Sequence, residues 1–202
     1  MALIKIKSES MNLADDYTFT GTVTGAGDPA DMKLLSTVDA SSGTSAVIFN
    51  SSVVDTSTYD HFYIIGHRIY SSVNGDNIRF YQSHTNGSTF VNDNKRGQLY
   101  ANLYSGSAFG HEQLTISGSG YTILGGSMSN STAGGSMNLW INGASYSTWK
   151  YINYQITYKH DVEAYTWMGA FEQQNSNPYN YFKFQCNSGN LYGYYNLYGI
   201  KG

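Results

Sequence analysis

The run Asp60-His61-Phe62-Tyr63-Ile64-Ile65-Gly66-His67-Arg68-Ile69-Tyr70-Ser71-Ser72-Val73-Asn74-Gly75-Asp76-Asn77-Ile78-Arg79-Phe80-Tyr81-Gln82-Ser83 decides the fold class. Its first part, through Tyr70, is β-branched and aromatic. Phe62 to Ile65 are apolar at consecutive positions, the texture of a strand covered on both faces. Asn74-Gly75-Asp76 is a turn signal, because Asn and Gly accept the positive φ that tight hairpins require. The last part alternates, with Ile78 and Phe80 on one side and Arg79 and Tyr81 on the other, the period of a half-buried strand. A β-hairpin therefore sits near the middle of the chain, and no segment of helical period competes with it as an organising unit.

The same texture repeats on either side. Strands are expected at 46–50, 62–70, 78–82, 98–104, 113–117, 121–124, 137–141, 149–158, 163–171, 181–186 and 194–200. Turn clusters separate them: Asn86-Gly87-Ser88, Gly118-Ser119-Gly120, Ser131-Thr132-Ala133-Gly134-Gly135, Asn142-Gly143 and Asn187-Ser188-Gly189-Asn190. Many short strands punctuated by Gly, Asn and Ser mean an antiparallel β-sandwich or jelly roll. Between Phe90 and His111 the pattern is least readable and admits a long loop or a short helix over 98–103. Residues 1–40 are poor in large side chains and carry a Gly25-Ala26-Gly27-Asp28-Pro29 linker. We expect 1–40 to be an extended N-terminal arm that docks onto the main domain or onto another subunit, and 41–202 to be the sandwich domain.

Composition narrows the function. Of the 202 residues only 12% are charged, 15% are aromatic, 19 are Tyr and 22 are Gly, with a net charge of −3. Without a basic run, nucleic acid is not expected as a partner. One cysteine, Cys186, excludes an intrachain disulfide and reads as a small buried hydrophobe. The N-terminus lacks the long apolar segment of a signal peptide, and nothing approaches a membrane span. The expected chain is made in a cytoplasm and does not insert into a membrane.

No catalytic constellation emerges. His61, His67, His84, His111 and His160 lack metal-ligand spacing, and on a regular strand His61 and His67 would stand roughly 20 Å apart. The carboxylates are scattered, mostly beside turn signals where Asp serves the backbone. No Gly-x-Ser-x-Gly lies between a strand and a helix. Asn74-Gly75-Asp76-Asn77 and Asn92-Asp93-Asn94 offer oxygens but no closing Glu of a calcium loop. No catalytic, cofactor or metal residue is assigned.

The surplus is aromatic. Met137, Leu139 and Ile141 form one core set, Ile152, Tyr154, Ile156 and Tyr158 a second, and Phe182, Phe184 and Cys186 a third. Tyr81, Trp140, Trp149, Tyr151, Tyr165, Trp167 and Tyr181 are expected on the faces opposite such sets. A row of exposed rings usually meets a partner. Three partners fit: a neighbouring subunit, a sugar stacked on the rings, or a second sheet of the same domain.

The C-terminal Leu197-Tyr198-Gly199-Ile200-Lys201 resembles the ends of virion proteins of tailed bacteriophages, especially marine and cyanobacterial ones. Tyr59-Asp60-His61-Phe62-Tyr63-Ile64-Ile65 with Asn74-Gly75-Asp76 and Ile78-Arg79-Phe80 resembles an earlier hairpin of the same proteins. Ser10-Met11-Asn12-Leu13-Ala14-Asp15-Asp16-Tyr17 with Phe19-Thr20-Gly21-Thr22-Val23 resembles their starts. The resemblance implies a jelly-roll, lectin-like virion structural protein, a homotrimer bound to other virion proteins through its N-terminal arm. Its expected role is a non-enzymatic tail-fibre or tail-associated adhesin that contacts host surface polysaccharide. Capsid decoration is the alternative within that class, and a polysaccharide depolymerase the alternative outside it.

Overall fold

The structure, a computed structural model, describes residues 32–91, 93–102, 109–117, 120–130, 132–160 and 163–202. Among them are twelve strands and no helix: β1 (Met32–Asp39), β2 (Val47–Phe49), β3 (His61–Ser71), β4 (Asp76–Ser83), β5 (Asp93–Asn102), β6 (Phe109–Ser117), β7 (Thr122–Met128), β8 (Gly135–Asn142), β9 (Trp149–His160), β10 (Glu163–Gln174), β11 (Tyr181–Cys186) and β12 (Leu191–Ile200). All pairings are antiparallel. They form an eight-stranded sheet, β1-β12-β3-β8-β9-β10-β5-β6, and a four-stranded sheet, β2-β11-β4-β7. With β5–β6 and β9–β10 set aside, the two sheets read 1-12-3-8 and 2-11-4-7, the strand order of a jelly roll. The two extra hairpins, β5–β6 after β4 and β9–β10 after β8, widen the large sheet to eight strands, and β9 and β10 still face β7 of the small one.

The expected all-β sandwich is the observed fold, and the expected strands from residue 46 onward each find a counterpart. Three particulars differ. The helix considered over 98–103 is strand β5 through Asn102, and residue 103 lies outside the described residues. The boundary placed at residue 40 falls too late: β1, counted in the arm, pairs with β12 from Met32↔Ile200 to Asp39↔Tyr194 as the edge of the large sheet. The remainder of the arm, 1–31, lies outside the described residues. Finally, β3 is not covered on both faces. Phe62 and Ile64 are fully buried, while Tyr63 and Ile65 on the other side are only partly so.

The core is the space between the sheets. Phe182 on β11 meets Phe62 of the opposite sheet at 5.5 Å and Phe80 of its own at 6.0 Å. Phe184 faces Tyr195 across the sandwich at 5.8 Å. The three core sets expected from alternation are all buried, Cys186 included, and burial pushes its thiol up to about 11. In β3 the alternation slips once. Arg68, at φ 55°, sits in a bulge between His67 and Ile69, so Arg68 is exposed and Ile69 is buried.

The central hairpin turns as expected, with Gly75 at φ +76°. Its closing residue is a staple between two turns. The Asp76 carboxylate accepts the Asn77 amide at 2.8 Å, Asn187 at 2.9 Å, Ser188 at 3.2 Å and Gly189 at 2.9 Å, and the Ser71 hydroxyl at 2.9 Å. Burial works against its ionisation, but the donors on Gly189, Asn77, Ser71 and Ser188 together hold the carboxyl below its usual range. The one carboxylate of the oxygen-rich turn at 74–77 is thus already answered by four backbone N–H groups and a hydroxyl.

Lys150, on the inner face of β9, is fully buried. Its ammonium donates to the carbonyls of Tyr146 and Asn175, both at 2.7 Å, and lies 5.0 Å from the centre of the Tyr179 ring. It ties the loop after β8 to the loop before β11. Burial lowers its pKa to about 8. Tyr158, Tyr179 and Tyr195 are buried too, and burial raises their hydroxyls above the ordinary range.

These shifts have opposite consequences for stability. Above pH 8 the unfolded chain keeps the Lys150 proton that the folded chain gives up, so stability rises until the unfolded lysine titrates near pH ~10.4. The tyrosines stabilise fully below the unfolded tyrosine pKa of about 10, and that contribution is lost as the pH climbs past it. Urea midpoints are expected to rise gently above pH 8 and fall steeply beyond pH ~10, with Lys150→Met removing the rise but not the fall. A profile flat through pH ~11 would contradict the burial of these groups.

Candidate functional site

Two outward faces carry the aromatic surplus. The first belongs to the large sheet. Strand register aligns Leu34, Tyr198, Tyr63, Trp140, Asn153 and Ala170 in one row across six strands. The next row is Thr37, Asn196, Ile65, Asn138, Gln155 and Met168. Neither row holds a Lys, Arg, Asp or Glu.

Cross-strand stacks run along this face. Tyr63 lies on Trp140 at 3.9 Å and 17°, His67 on Tyr194 at 5.2 Å, and Tyr70 on Tyr192 at 4.4 Å and 7°. The Tyr63 hydroxyl donates to Asn138 Oδ1 at 2.6 Å, and burial together with neighbouring Tyr198 pushes its pKa up. Thr37 donates to Asn196 Oδ1 at 2.9 Å. Two pairs of polar groups on the face are thereby matched to each other, while several apolar side chains face outward. Leu34 is 50% exposed, Trp140 40%, Met168 47% and, in a neighbouring row, Tyr151 52%.

The second face is the outer side of the small sheet. Here Ile48, Lys183 and Tyr81 are aligned by register, with Gln185 and Arg79 in the adjacent row. The Tyr81 ring is 5.0 Å from Phe90 and 5.5 Å from Tyr121. Phe90, brought over the face by the loop after β4, is also 6.1 Å from Tyr181. Lys183 Nζ lies 3.9 Å from the centre of the Tyr81 ring and 4.4 Å from that of Phe90, and the Arg79 guanidinium lies 4.3 Å from that of Tyr121. Arg79 also donates to Asn187 Oδ1. Burial lowers the Lys183 pKa. Among the described residues, no carboxylate lies within ion-pair distance of either cation.

The seven aromatics expected together thus divide. Trp140 and Tyr151 lie on the outer face of the large sheet, as expected, and Trp149, half-buried, begins the same strand as Tyr151. Tyr81 and Tyr181 belong to the small sheet, where Tyr181 is covered by the loop carrying Gly87 and Phe90. Tyr165 and Trp167 are a correction. They point inward, pair with Tyr158 and Ile156, and pack against the core. Tyr165 stacks on Tyr158, and Trp167 fits over Gly126 of β7, where an added Cβ would stand 3.4 Å from the indole. For Trp167 the partner is the second sheet of the same domain, and for Tyr165 it is the neighbouring strand of its own sheet. The residues missed are Tyr63, Tyr70, Tyr192, Tyr194 and Tyr198. For Tyr192, Tyr194 and Tyr198 the signal was the every-second-residue tyrosines of the last strand.

Three further described carboxylates accept from backbone amides or hydroxyls. Asp39 caps Ser41, Asp55 caps Ser57 and Thr58, and Asp60 accepts from Ser145 and Gly202. Among the described residues no group of three His, Cys, Asp or Glu converges as a metal site would require. Comparison with protein-family models, with curated proteins and with solved structures finds no match.

Proposed function

We propose that this chain is a structural protein of a tailed-bacteriophage particle, a tail-fibre or tail-associated adhesin that works by assembly rather than catalysis. Its copies associate, as a homotrimer, through the outer face of the eight-stranded sheet, and residues 1–31 anchor it to other virion proteins. The observation that carries the assembly reading is the pair of charge-free rows centred on the Tyr63–Trp140 stack. Charge depletion with aromatic and Met enrichment is the composition of an interface core, and exposed apolar surface gathered on one face is what a partner relieves. The jelly-roll strand order and the three sequence motifs support the virion reading.

Sedimentation of the purified chain tests assembly. The wild type is expected to run as a trimer, and Trp140→Glu as a monomer of unchanged far-ultraviolet circular dichroism, its association weakened by about thirtyfold or more. A wild-type monomer at the highest soluble concentration would overturn the interface. Mass spectrometry of purified particles tests the role. Few copies per particle are expected; many would move the assignment to capsid decoration, and none would overturn it.

A further inference from the structure

The outer face of the four-stranded sheet offers a second site, and it is chemically unlike the first. Its rings are accompanied by cations rather than by other apolar groups. Arg79 and Lys183 stand at diagonal positions of paired strands, so their Cα atoms are about 7–8 Å apart. Each is held against an aromatic face, over Tyr121 and between Tyr81 and Phe90 respectively. The rings orient the two cationic groups while neutralising neither, and among the described residues no acid does so. Gln185 shares a row with Arg79, Asn187 holds the Arg79 guanidinium, and Ile48, 44% exposed, extends the row beyond Lys183.

We propose that this face binds an acidic polysaccharide. A uronate carboxylate sits between Arg79 and Lys183, which supply charged N–H donors. The apolar face of an adjoining sugar ring lies on the edge of the Tyr81–Tyr121 pair and on Ile48, and the Gln185 amide serves hydroxyls. The face runs across four strands, roughly 14 Å, enough for about three sugar units. A surface laid out along strand rows, with Phe90 over one part of it, suits an extended chain rather than an enclosed small molecule. The proposal is independent of the assembly reading, because it uses the other sheet.

The test is affinity electrophoresis and calorimetry of the full chain with polygalacturonate, alginate, neutral dextran and poly-glutamate. Binding to at least one of the two uronate polymers is expected, weakened by added salt. Arg79→Gln with Lys183→Gln should weaken it by about a hundredfold, and Tyr121→Ala by about tenfold. Trp140→Glu should weaken it only by the avidity that assembly supplies, leaving the affinity for a short oligogalacturonate unchanged. No binding to either uronate polymer, equal binding to dextran, or an undiminished affinity in the double variant would overturn the proposal. Poly-glutamate bound as tightly as the uronates would overturn the saccharide assignment, leaving a general acidic-chain surface.

Discussion

Asp76→Ala is expected to destabilise the protein by about 3–4 kcal/mol and lower its Tm by about 10 °C. The reason is the number of donors that converge on one buried carboxylate: four backbone N–H groups and a hydroxyl, drawn from β3, β4 and the turn between β11 and β12. Hydrogen bonds to a charged acceptor are worth more than neutral ones, and they are lost together when the acceptor goes. Water reaching the exposed side of the 187–190 turn keeps the sum below five separate bonds. Asp76→Asn retains one acceptor oxygen in place and should cost about half as much. Asp55→Ala is the control. That carboxylate also holds two local partners, Ser57 and Thr58, but at the surface, and should cost less than about 1 kcal/mol. The carboxyl is held below its usual range, so its contribution is present above the unfolded aspartate pKa of about 3.9 and is lost as the pH falls through the folded value. Thermal unfolding of the three variants decides it. An Asp76→Ala cost no larger than that of Asp55→Ala would mean the staple is ornamental.

That staple also shows where sequence reading succeeds and where it stops. Asn74-Gly75-Asp76 announces a turn by local chemistry, and a turn is what forms. Nothing local says that Asp76 will also hold a second turn more than a hundred residues away, because that depends on the jelly-roll order placing β11–β12 beside β3–β4. The strands were legible for the same local reason, since alternation depends only on which side chains avoid water. The exceptions are local too. β1 reads Met-Lys-Leu-Leu-Ser-Thr-Val-Asp, with a bulge between Leu34 and Ser36 that breaks its period, and as an edge strand it buries little. Arg68 shifts the register of faces by one residue, which no propensity announces.

The candidate site failed where alternation must fail. A strand's pattern gives two faces but does not tell which is covered, and that depends on the width of the opposing sheet. Trp140 on β8 and Trp167 on β10 both alternate with smaller or polar residues. The first points away from the small sheet and is exposed; the second points toward it and packs beside Gly126. Tyr63 suffered the reverse error. Its run of apolar neighbours suggested burial on both sides, yet on the outer side it is only partly buried, against Trp140, Tyr198 and Asn138. A sequence that looks doubly buried in a strand singly covered is what the proposed assembly through this face would require.

Phe182→Ala carries the largest expected loss, about 3–5 kcal/mol, and it separates the frame from the faces it presents. The ring is fully buried at the middle of the small sheet, meeting Phe62 at 5.5 Å, Phe80 at 6.0 Å and Tyr179 at 6.3 Å. These neighbours come from β3, from β4 and from the loop before β11, so each is fixed by a separate set of backbone hydrogen bonds. None can collapse into the space without breaking register, and the cavity therefore keeps most of its volume, which sets the cost at the upper end of the range. Phe90→Ala removes a ring of the same size from the roof of the outer face and should cost less than about 1.5 kcal/mol, because solvent takes its place. Denaturant titration followed by tyrosine and tryptophan fluorescence reads both. Since the side chains of a strand alternate, the Phe182 cavity lies beneath the faces and not in them. Below its own unfolding transition Phe182→Ala should sediment as the wild type does, whereas Trp140→Glu should alter sedimentation with little change in stability. If the two variants instead changed stability and assembly in parallel, the sandwich interior and its outer surface would be energetically one unit, and the assignment of function to the surface would fail.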